Sequence, residues 1–353
     1  MPINLDDRSV VTELDPKGML TLTEEFPAQC QRALDIANAV TLPPLESRPG
    51  VVVITGMGGS AAGGDFVKAL FEAHGIVPLV VNRDYNIPAY VGLGDLVFCT
   101  SYSGNTEETL SAYAQAKAAG AKIIAVTSGG KVREQAIADG FPVYTVPGGQ
   151  PPRTALGFML IPVIVACQQL KLIPDQDIEG AIALLEASAK EWTVEAVGNP
   201  TKKLAEKIYG ALPVIYGLGS WQGLIANRWR SQINENAKQL TFFNTLPELN
   251  HNEILGWVEA RKLSVGKYVG ILLEDGSESA KMKKRAEVTE SLIGDVCEFH
   301  HVQAKGDTLL KKLLSLAFFG DFVSIYLARL NEVDPENIDW LLYLKDELAK
   351  VPG

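Results

Sequence analysis

The chain has no excess of positive charge: 32 Lys and Arg stand against 42 Asp and Glu, a formal net charge of −10. A nucleic-acid partner requires a clustered basic face, so this balance excludes that class of function. The densest basic cluster, Lys281 to Arg285, has helical spacing, and we interpret it as a solvated helix face.

The sequence also lacks a secretory signal and a membrane-spanning segment. Residues 1–9 are polar and acidic, without the basic and apolar regions of a signal peptide. The longest apolar stretch, Ala155 to Cys167, is too short to span a bilayer and is interrupted by Gly157 and Pro162. These absences predict a cytoplasmic protein that does not bind a membrane.

Cysteine and histidine are scarce, with four of each in 353 residues. The cysteines have no paired spacing, which predicts buried thiols in a reducing compartment. No H-x₃-H or C-x₂-C pattern occurs, and the adjacent His300 and His301 on a predicted strand should point to opposite faces. These spacings predict no metal site. We also expect no other cofactor. The cysteines are Cys30, Cys99, Cys167 and Cys297.

Short apolar runs alternate with helical patterns along the first half of the chain. After a leading helix over residues 20–39, these runs predict buried strands joined by helices, which is typical of a parallel sheet covered on both faces. The predicted strands are residues 51–54, 78–81, 96–100, 122–127 and 143–146.

The same pattern returns in the second half, with strands predicted at 213–217, 268–273 and 296–302. The fold class is therefore α/β, with two doubly wound parallel-sheet domains of the nucleotide-binding type. We expect one domain over residues 1–170, a helical connection over 171–199 and a second domain over 200–353.

The first motif that indicates chemistry is Gly56 to Gly64, GMGGSAAGG, directly after a strand and opening a helix. Glycines allow a ligand to approach the backbone closely, and the amide groups at a helix start attract anions. The loop alone also fits a dinucleotide fingerprint, with Asp84 after the next strand as the acid, or a structural tight turn.

The second motif, SYSGNTEET, follows another buried strand and opens a helix. The hydroxyls of Ser101, Ser103 and Thr106 accompany free backbone amides, which suits one phosphate group. The alternative is helix capping by Asn105 or Thr106, but capping uses one hydroxyl and the segment has three.

The third motif, PPRT, places Arg153 in a stiff turn before a long helix, near the strand ends where α/β proteins bind ligands. A guanidinium there could stabilise an oxyanion, whereas the alternative is a surface arginine.

Two polar segments of the second half, INENAK and LPELNHNEILGW, contain Glu235 and His251. Their many Asn side chains are typical of a polar cleft in which a carboxylate and an imidazole transfer protons. From these two segments alone, it is equally good to interpret Glu235 as a solvated glutamate and His251 as a structural histidine.

Together, these five motifs resemble the bifunctional phosphoglucose/phosphomannose isomerase family, which is built from two SIS domains. The matching segments span residues 56–257. The resemblance implies a metal-independent isomerase that interconverts glucose 6-phosphate with fructose 6-phosphate through a cis-enediolate. Whether mannose 6-phosphate is also a substrate stays open at this point. The resemblance also implies a homodimer.

The resemblance further implies residue roles. Gly58, Gly59 and Ser60 would line the sugar site, and Ser101, Ser103 and Thr106 would hold the phosphate. Arg153 would lie against the enediolate and Glu235 would be the base. His251, contributed by the neighbouring subunit, would open the sugar ring with a lysine near the C-terminus, for which Lys345 is the best match and Lys350 a rival.

Two other functions remain open. A non-catalytic SIS module that senses sugar phosphates would share the phosphate loop without needing Glu235 and His251. An NAD(P)-dependent dehydrogenase would use the glycine loop alone. A related aminosugar or ketose-phosphate isomerase is a further enzymatic possibility.

Overall fold

The computed structural model describes residues 3–260, 266–348 and 350. The chain forms two units. The N-terminal unit contains residues 25–188 and 304–315, and the C-terminal unit contains residues 1–24, 189–303 and 316–353. The domain boundaries expected from the sequence, at residues 170 and 199, stay a prediction.

Helices and parallel strands alternate along both halves of the chain. The helices are α1 (Arg8–Val11), α2 (Met19–Glu24), α3 (Phe26–Asn38), α4 (Gly58–His74), α5 (Glu107–Ala118), α6 (Gly130–Ala138), α7 (Leu156–Gln169), α8 (Ile178–Trp192), α9 (Pro200–Ile208), α10 (Ser220–Ala237), α11 (Glu253–Ala260), α12 (Ala280–Ile293), α13 (Leu309–Leu330) and α14 (Asp339–Leu348). The strands are β1 (Val52–Thr55), β2 (Leu79–Asn82), β3 (Leu96–Ser101), β4 (Lys122–Thr127), β5 (Val143–Thr145), β6 (Leu212–Leu218), β7 (Phe242–Leu246), β8 (Tyr268–Glu274) and β9 (Cys297–Gln303). Two 3₁₀ turns, Pro152–Thr154 and Glu248–His251, complete the set.

The N-terminal unit contains a five-stranded parallel sheet in the order β2-β1-β3-β4-β5. Its central strands β1 and β3 are buried at every residue, as their continuous apolar runs predict. The strand order reverses direction between β1 and β3, so their carboxyl ends border the crevice where ligands bind in such sheets.

The C-terminal unit contains a four-stranded parallel sheet in the order β7-β6-β8-β9. The predicted α/β fold class, with two parallel sheets, is therefore confirmed. Strand β7 was not predicted from the sequence. It lies at the sheet edge with Phe242 and Phe243 exposed, so it lacks the buried apolar run that indicates an inner strand.

Helix α13 is long and apolar enough to cross a membrane by length and composition, but 89% of its most apolar window is buried. A helix that is hydrophobic on all sides and buried is typical of a protein core. The basic cluster from Lys281 to Arg285 lies on α12 with its charged side chains exposed, which confirms a solvated face.

Candidate active site

The glycine loop lies between β1 and α4 and packs against the turn that contains Arg153. Gly58 begins α4 with φ +50°, a conformation that favours glycine. A Cβ atom on Gly59 would lie 2.5 Å from the carbonyl oxygen of Pro152. Only a glycine permits this approach, which brings the 3₁₀ turn and Arg153 directly beside the loop. The Arg153 side chain is buried rather than on the surface.

The hydroxyl-rich loop after β3 is bonded to both of these segments through Tyr102. The Tyr102 amide donates to Ser60 Oγ at 3.0 Å. The Tyr102 hydroxyl donates to the carbonyl oxygen of Pro147 at 2.9 Å, on the segment that leads into Arg153. Three motifs that are far apart in sequence therefore meet at one edge of the N-terminal sheet. Sequence reasoning did not assign Tyr102 this linking role.

Within this loop the hydroxyls are arranged differently from a helix cap. Thr106 is the N-cap residue of α5, yet its hydroxyl makes no capping bond to the helix. It lies 2.9 Å from the Ser101 hydroxyl, which also accepts a bond from the Gly104 amide at 3.1 Å. Ser101 is fully buried, Thr106 is partly buried and Ser103 is exposed. The first amides of α5 thus keep their donors free of side-chain caps.

A second loop, Ser128 to Gly130, supports the first, and sequence reasoning missed it. Ser128 Oγ donates to the carbonyl oxygen of Tyr102 at 2.6 Å. The Val132 amide donates to the carbonyl oxygen of Gly104 at 2.9 Å. The signal that could have revealed this loop is the run Ser-Gly-Gly directly after the buried strand β4.

In the C-terminal unit, Glu235 lies near the end of α10 on the wall of a cavity of about 590 Å³. Other lining residues lie in the segment 333–341, which the Lys238 ammonium bonds to α10. Its Nζ donates to the carbonyl oxygens of Glu235 and Asp334, each at 2.8 Å. The cavity is large enough for a hexose phosphate. Its lining residues are Arg230, Ser231, Asn234, Glu235, Lys238, Val333, Asp334, Asn337, Ile338, Trp340 and Leu341.

A second side of α10 is joined to α13 by buried polar side chains, here called the buried bridge. Sequence reasoning also missed these contacts. Arg228 pairs with Asp321 at 2.7 Å, Gln232 donates to Asp321 at 2.9 Å, and Asn236 donates to Ser324 at 2.9 Å. The three α10 residues are spaced by four, so they share one side of the helix. Burial raises the pKa of Asp321, which the Arg228 charge opposes. The bridge sets the rotation of α10 and hence the direction of its Glu235 face.

His251 ends the 3₁₀ turn between β7 and α11, and its side chain is exposed. The residues next to His251 in the chain have fixed positions. Leu249 is fully buried, and Asn250 donates to the Thr289 hydroxyl at 2.9 Å. Asn252 donates to Glu248 at 2.9 Å. The turn thus presents an imidazole to the exterior of this chain on a well-anchored backbone.

Lys345 lies on α14, of which no residue is buried. It does not line the Glu235 cavity, although Trp340 and Leu341 at the start of the same helix do. Its rival Lys350 pairs with Glu347 at 2.6 Å. The C-terminal unit therefore contains Glu235, His251 and both candidate lysines, and the N-terminal unit contains the glycine, hydroxyl and Arg153 motifs.

The described part of the chain has no exposed cysteine and no cluster of side chains placed to hold a metal ion. All four cysteines are buried, as predicted, and burial raises the pKa of each thiol. No group of three or more His, Cys, Asp and Glu side chains is placed to hold a metal ion within residues 3–260, 266–348 and 350.

Comparison with solved structures shows the same fold. A hypothetical protein from Thermus thermophilus superposes with a TM-score of 0.71 over 98% of this chain and 94% of its own, at 15% identity. A tagatose-6-phosphate ketose/aldose isomerase from Escherichia coli superposes with a TM-score of 0.68 over 91% and 95%, at 12% identity.

Sequence comparisons are more specific. Residues 47–136 match the SIS domain, and residues 198–348 match the bacterial phospho-glucose isomerase C-terminal SIS domain. The bifunctional phosphoglucose/phosphomannose isomerase of Caldicellulosiruptor bescii is 41% identical over 92% of this chain and 97% of its own length. That of Aquifex aeolicus is 36% identical over 85% and 90%. The chain belongs to the bifunctional phosphoglucose/phosphomannose isomerase family.

Proposed function

We propose that the chain interconverts glucose 6-phosphate and mannose 6-phosphate with fructose 6-phosphate, in the cytoplasm and without a metal or other cofactor. The observation that carries the proposal is the Tyr102 link. The Tyr102 amide bonds to Ser60 and its hydroxyl to Pro147, so the glycine loop, the hydroxyl loop and the Arg153 turn form one polar edge. Such an edge suits a ligand that has a phosphate and several hydroxyl groups.

The phosphate binds at the start of α5. The helix dipole and its uncapped first amides attract an anion, and Ser103 and Thr106 offer hydroxyl donors at the same point. Ser101 holds Thr106 in place through the 2.9 Å contact between their hydroxyls. Gly58, Gly59 and Ser60 line the sugar in this proposal, and Gly58 is the position open to close approach, since a Cβ atom there would meet no atom within 4 Å.

Glu235 moves the proton between C2 and C1 of the open-chain sugar. Its carboxylate removes the proton from C2 of the open-chain aldose, and a cis-enediolate forms. A proton passes from the O2 hydroxyl to O1, and the protonated Glu235 carboxyl then delivers its proton to C1, so that C2 becomes the ketone carbonyl. Because C1 is adjacent to C2, a single base serves both steps. The Arg153 guanidinium offsets the negative charge that develops on the enediolate oxygens.

His251 opens the sugar ring by protonating the ring oxygen as the C1–O5 bond breaks, while the anomeric hydroxyl gives up its proton and C1 becomes the aldehyde. Lys345, rather than Lys350, assists this step. The exposed imidazole on an anchored turn suits a side chain that acts outside its own chain. We therefore propose a homodimer in which each subunit supplies His251 to the site of its partner.

One site can serve both aldoses for a chemical reason. Glucose 6-phosphate and mannose 6-phosphate differ only in configuration at C2. Removal of the C2 proton makes that carbon planar, so both substrates pass through the same enediolate. Relatives with 41% and 36% identity are named as acting on both.

Two other functions have weaker support. A non-catalytic sugar-phosphate sensor would use the same phosphate loop, but would not need Glu235 on the wall of a 590 Å³ cavity. A dehydrogenase would need Asp84 to bind a ribose. The Asp84 carboxylate instead accepts a bond from the Asn86 amide at 3.3 Å, within its own turn.

The test is a coupled assay of the purified, chelator-treated chain with each aldose 6-phosphate. We expect fructose 6-phosphate from both substrates, with no loss of rate after chelation. Binding of the sugar phosphates without turnover would support the sensor. Tight NADH binding that hexose phosphates do not affect would support the dehydrogenase.

A further inference from the structure

The loop that presents His251 is tied back to the sheet by a single carboxylate. The chain leaves β7 at Leu246 and enters α11 at Glu253, with six residues, Pro247 to Asn252, between them. The Glu253 side chain then accepts hydrogen bonds from three side chains. Its Oε1 accepts from Tyr216 Oη at 2.5 Å and from Trp257 Nε1 at 2.9 Å, and its Oε2 accepts from Asn244 Nδ2 at 2.6 Å.

These four residues, here called the Glu253 cluster, have fixed positions. Tyr216 on β6 and Asn244 on β7 are directly paired in the parallel register, so both side chains emerge at the same level of the sheet. Trp257 lies one turn further along α11, and its ring packs edge-on against Tyr268 with centroids 5.0 Å apart. Tyr216 and Trp257 are both buried.

The direction of the hydrogen bonds in the cluster is unambiguous. Burial, together with the negative charge of Glu253, raises the pKa of Tyr216, so the phenol keeps its proton and donates it. Trp257 Nε1 and the Asn244 amide nitrogen can only donate. Tyr216 and Asn244 donate to the Glu253 carboxylate, whereas Trp257 Nε1 shares its hydrogen between Tyr216 Oη at 2.7 Å and Glu253 Oε1 at 2.9 Å. The bonds from Tyr216 and Asn244 are charge-assisted, and bonds of this kind are the strong ones.

The cluster closes the His251 loop at its base. Asn244 lies two residues before the end of β7, and Glu253 begins α11, so their 2.6 Å bond joins the two ends of the loop. No proposed chemical step uses Glu253 itself.

We propose that Glu253 is a positioning residue for His251, whose imidazole it holds in the direction needed for ring opening by closing the loop between β7 and α11. This inference rests on the proposed role of His251. It predicts that Glu253 affects catalysis only through His251, and that it leaves binding of the substrate phosphate unchanged.

The test is a double-mutant cycle between Glu253→Gln and His251→Asn. Glu253→Gln alone should lower kcat about 10- to 100-fold with KM changed less than about twofold, because misplacement of a catalytic group by about 1 Å costs rate on this scale. In the His251→Asn background the same change should alter kcat less than about twofold. Equal losses in both backgrounds, or no loss in the single variant, would overturn the proposal.

The matched control is Glu248→Gln, in the same loop. Glu248 also carries a carboxylate close to His251 in sequence, but its side chain is exposed and accepts one bond, from Asn252. Glu248→Gln should retain native kcat, because the amide keeps an oxygen that can accept the Asn252 bond. If Glu253→Gln fails to fold, Asn244→Ala removes one of the three bonds and should show the same pattern with a smaller loss.

Hydrogen exchange separates this inference from the proposed function, since it needs no substrate. Backbone amides of residues 248–252 should exchange faster in Glu253→Gln than in the native protein, and at the native rate in Glu248→Gln. Unchanged exchange in Glu253→Gln would refute the positioning role. Faster exchange in a chain that isomerises no hexose phosphate would refute the proposed function alone.

Discussion

Gly104 lies so close to Gly129 that a Cβ atom on Gly104 would be 1.8 Å from the Gly129 carbonyl oxygen. Gly104 also has φ +71°, in the left-handed region. The hydroxyl loop and the Ser128–Gly130 loop can therefore pack together only with a glycine at this position.

Gly104→Ala should consequently lower the free energy of unfolding by at least about 1–3 kcal/mol, the cost of a non-glycine residue in this conformation, with the clash adding to it. It should also weaken binding of hexose 6-phosphates, since Ser101, Ser103 and Thr106 lie in the displaced loop. Urea unfolding and substrate titration measure the two effects.

Gly129→Ala is the matched control for this change. Its φ of 162° is extended backbone, and an added Cβ would meet no atom within 4 Å. Its stability should stay within about 0.5 kcal/mol of native. A Gly104→Ala protein as stable and as tight-binding as Gly129→Ala would contradict the tight packing of the two loops.

The buried bridge between α10 and α13 gives a second prediction. Asp321→Ala leaves the Arg228 guanidinium buried without its carboxylate, so the free energy of unfolding should fall by about 3–5 kcal/mol. Joint replacement of Arg228 and Asp321 by Met and Leu should recover most of that loss. Chemical denaturation of the three proteins measures this.

An exposed ion pair gives the reference value for the loss of unfolding free energy expected at the buried bridge. Glu287 pairs with Lys284 at 2.6 Å on the surface of α12, so Glu287→Ala should cost no more than about 1 kcal/mol. If Asp321→Ala costs no more than Glu287→Ala, the bridge does not hold α10 in place.

Acid sensitivity is predicted at the Arg8–Glu195 pair. The Arg8 guanidinium, 2.6 Å from Glu195, lowers the pKa of that carboxyl from its ordinary value of 4.5 to about 2. A lowered pKa in the folded state stabilises the protein above pH 4.5, and this contribution is lost as the pH falls from 4.5 toward 2. The stability difference between native protein and Glu195→Gln should therefore shrink as the pH falls.

Urea unfolding of both proteins between about pH 6 and pH 3.5 measures this difference. Because more than half of the Glu195 side chain is exposed, the difference should be small and should decrease further in about 1 M salt. A difference that stays constant across this pH range would show that the pair does not titrate as described.

The sequence allowed much of the fold to be predicted because its signals are local. Buried strands such as β1 and β3 are continuous apolar runs, and the glycine and hydroxyl loops follow them directly. Strand β7 was not predicted, because it is an edge strand with Phe242 and Phe243 exposed and lacks such an apolar run.

The residues that support the site could not be predicted for a different reason. Arg228 and Asp321 are 93 positions apart, and Tyr216 and Glu253 are 37 apart. Bonds of this kind depend on which helix packs against which strand, so no local pattern reveals them. The Asn-rich segments around Glu235 and His251 left a catalytic and a structural role equally open, and only the resemblance to a family favoured the catalytic one.

Replacement of the proposed base, Glu235→Gln, removes the carboxylate that transfers the proton between C2 and C1. The amide keeps the shape of the side chain but cannot act as a base. We predict a loss in kcat of about 10²- to 10⁴-fold on glucose 6-phosphate, with the substrate dissociation constant within about threefold of native. A kcat within a few-fold of the native value would show that Glu235 is not the base.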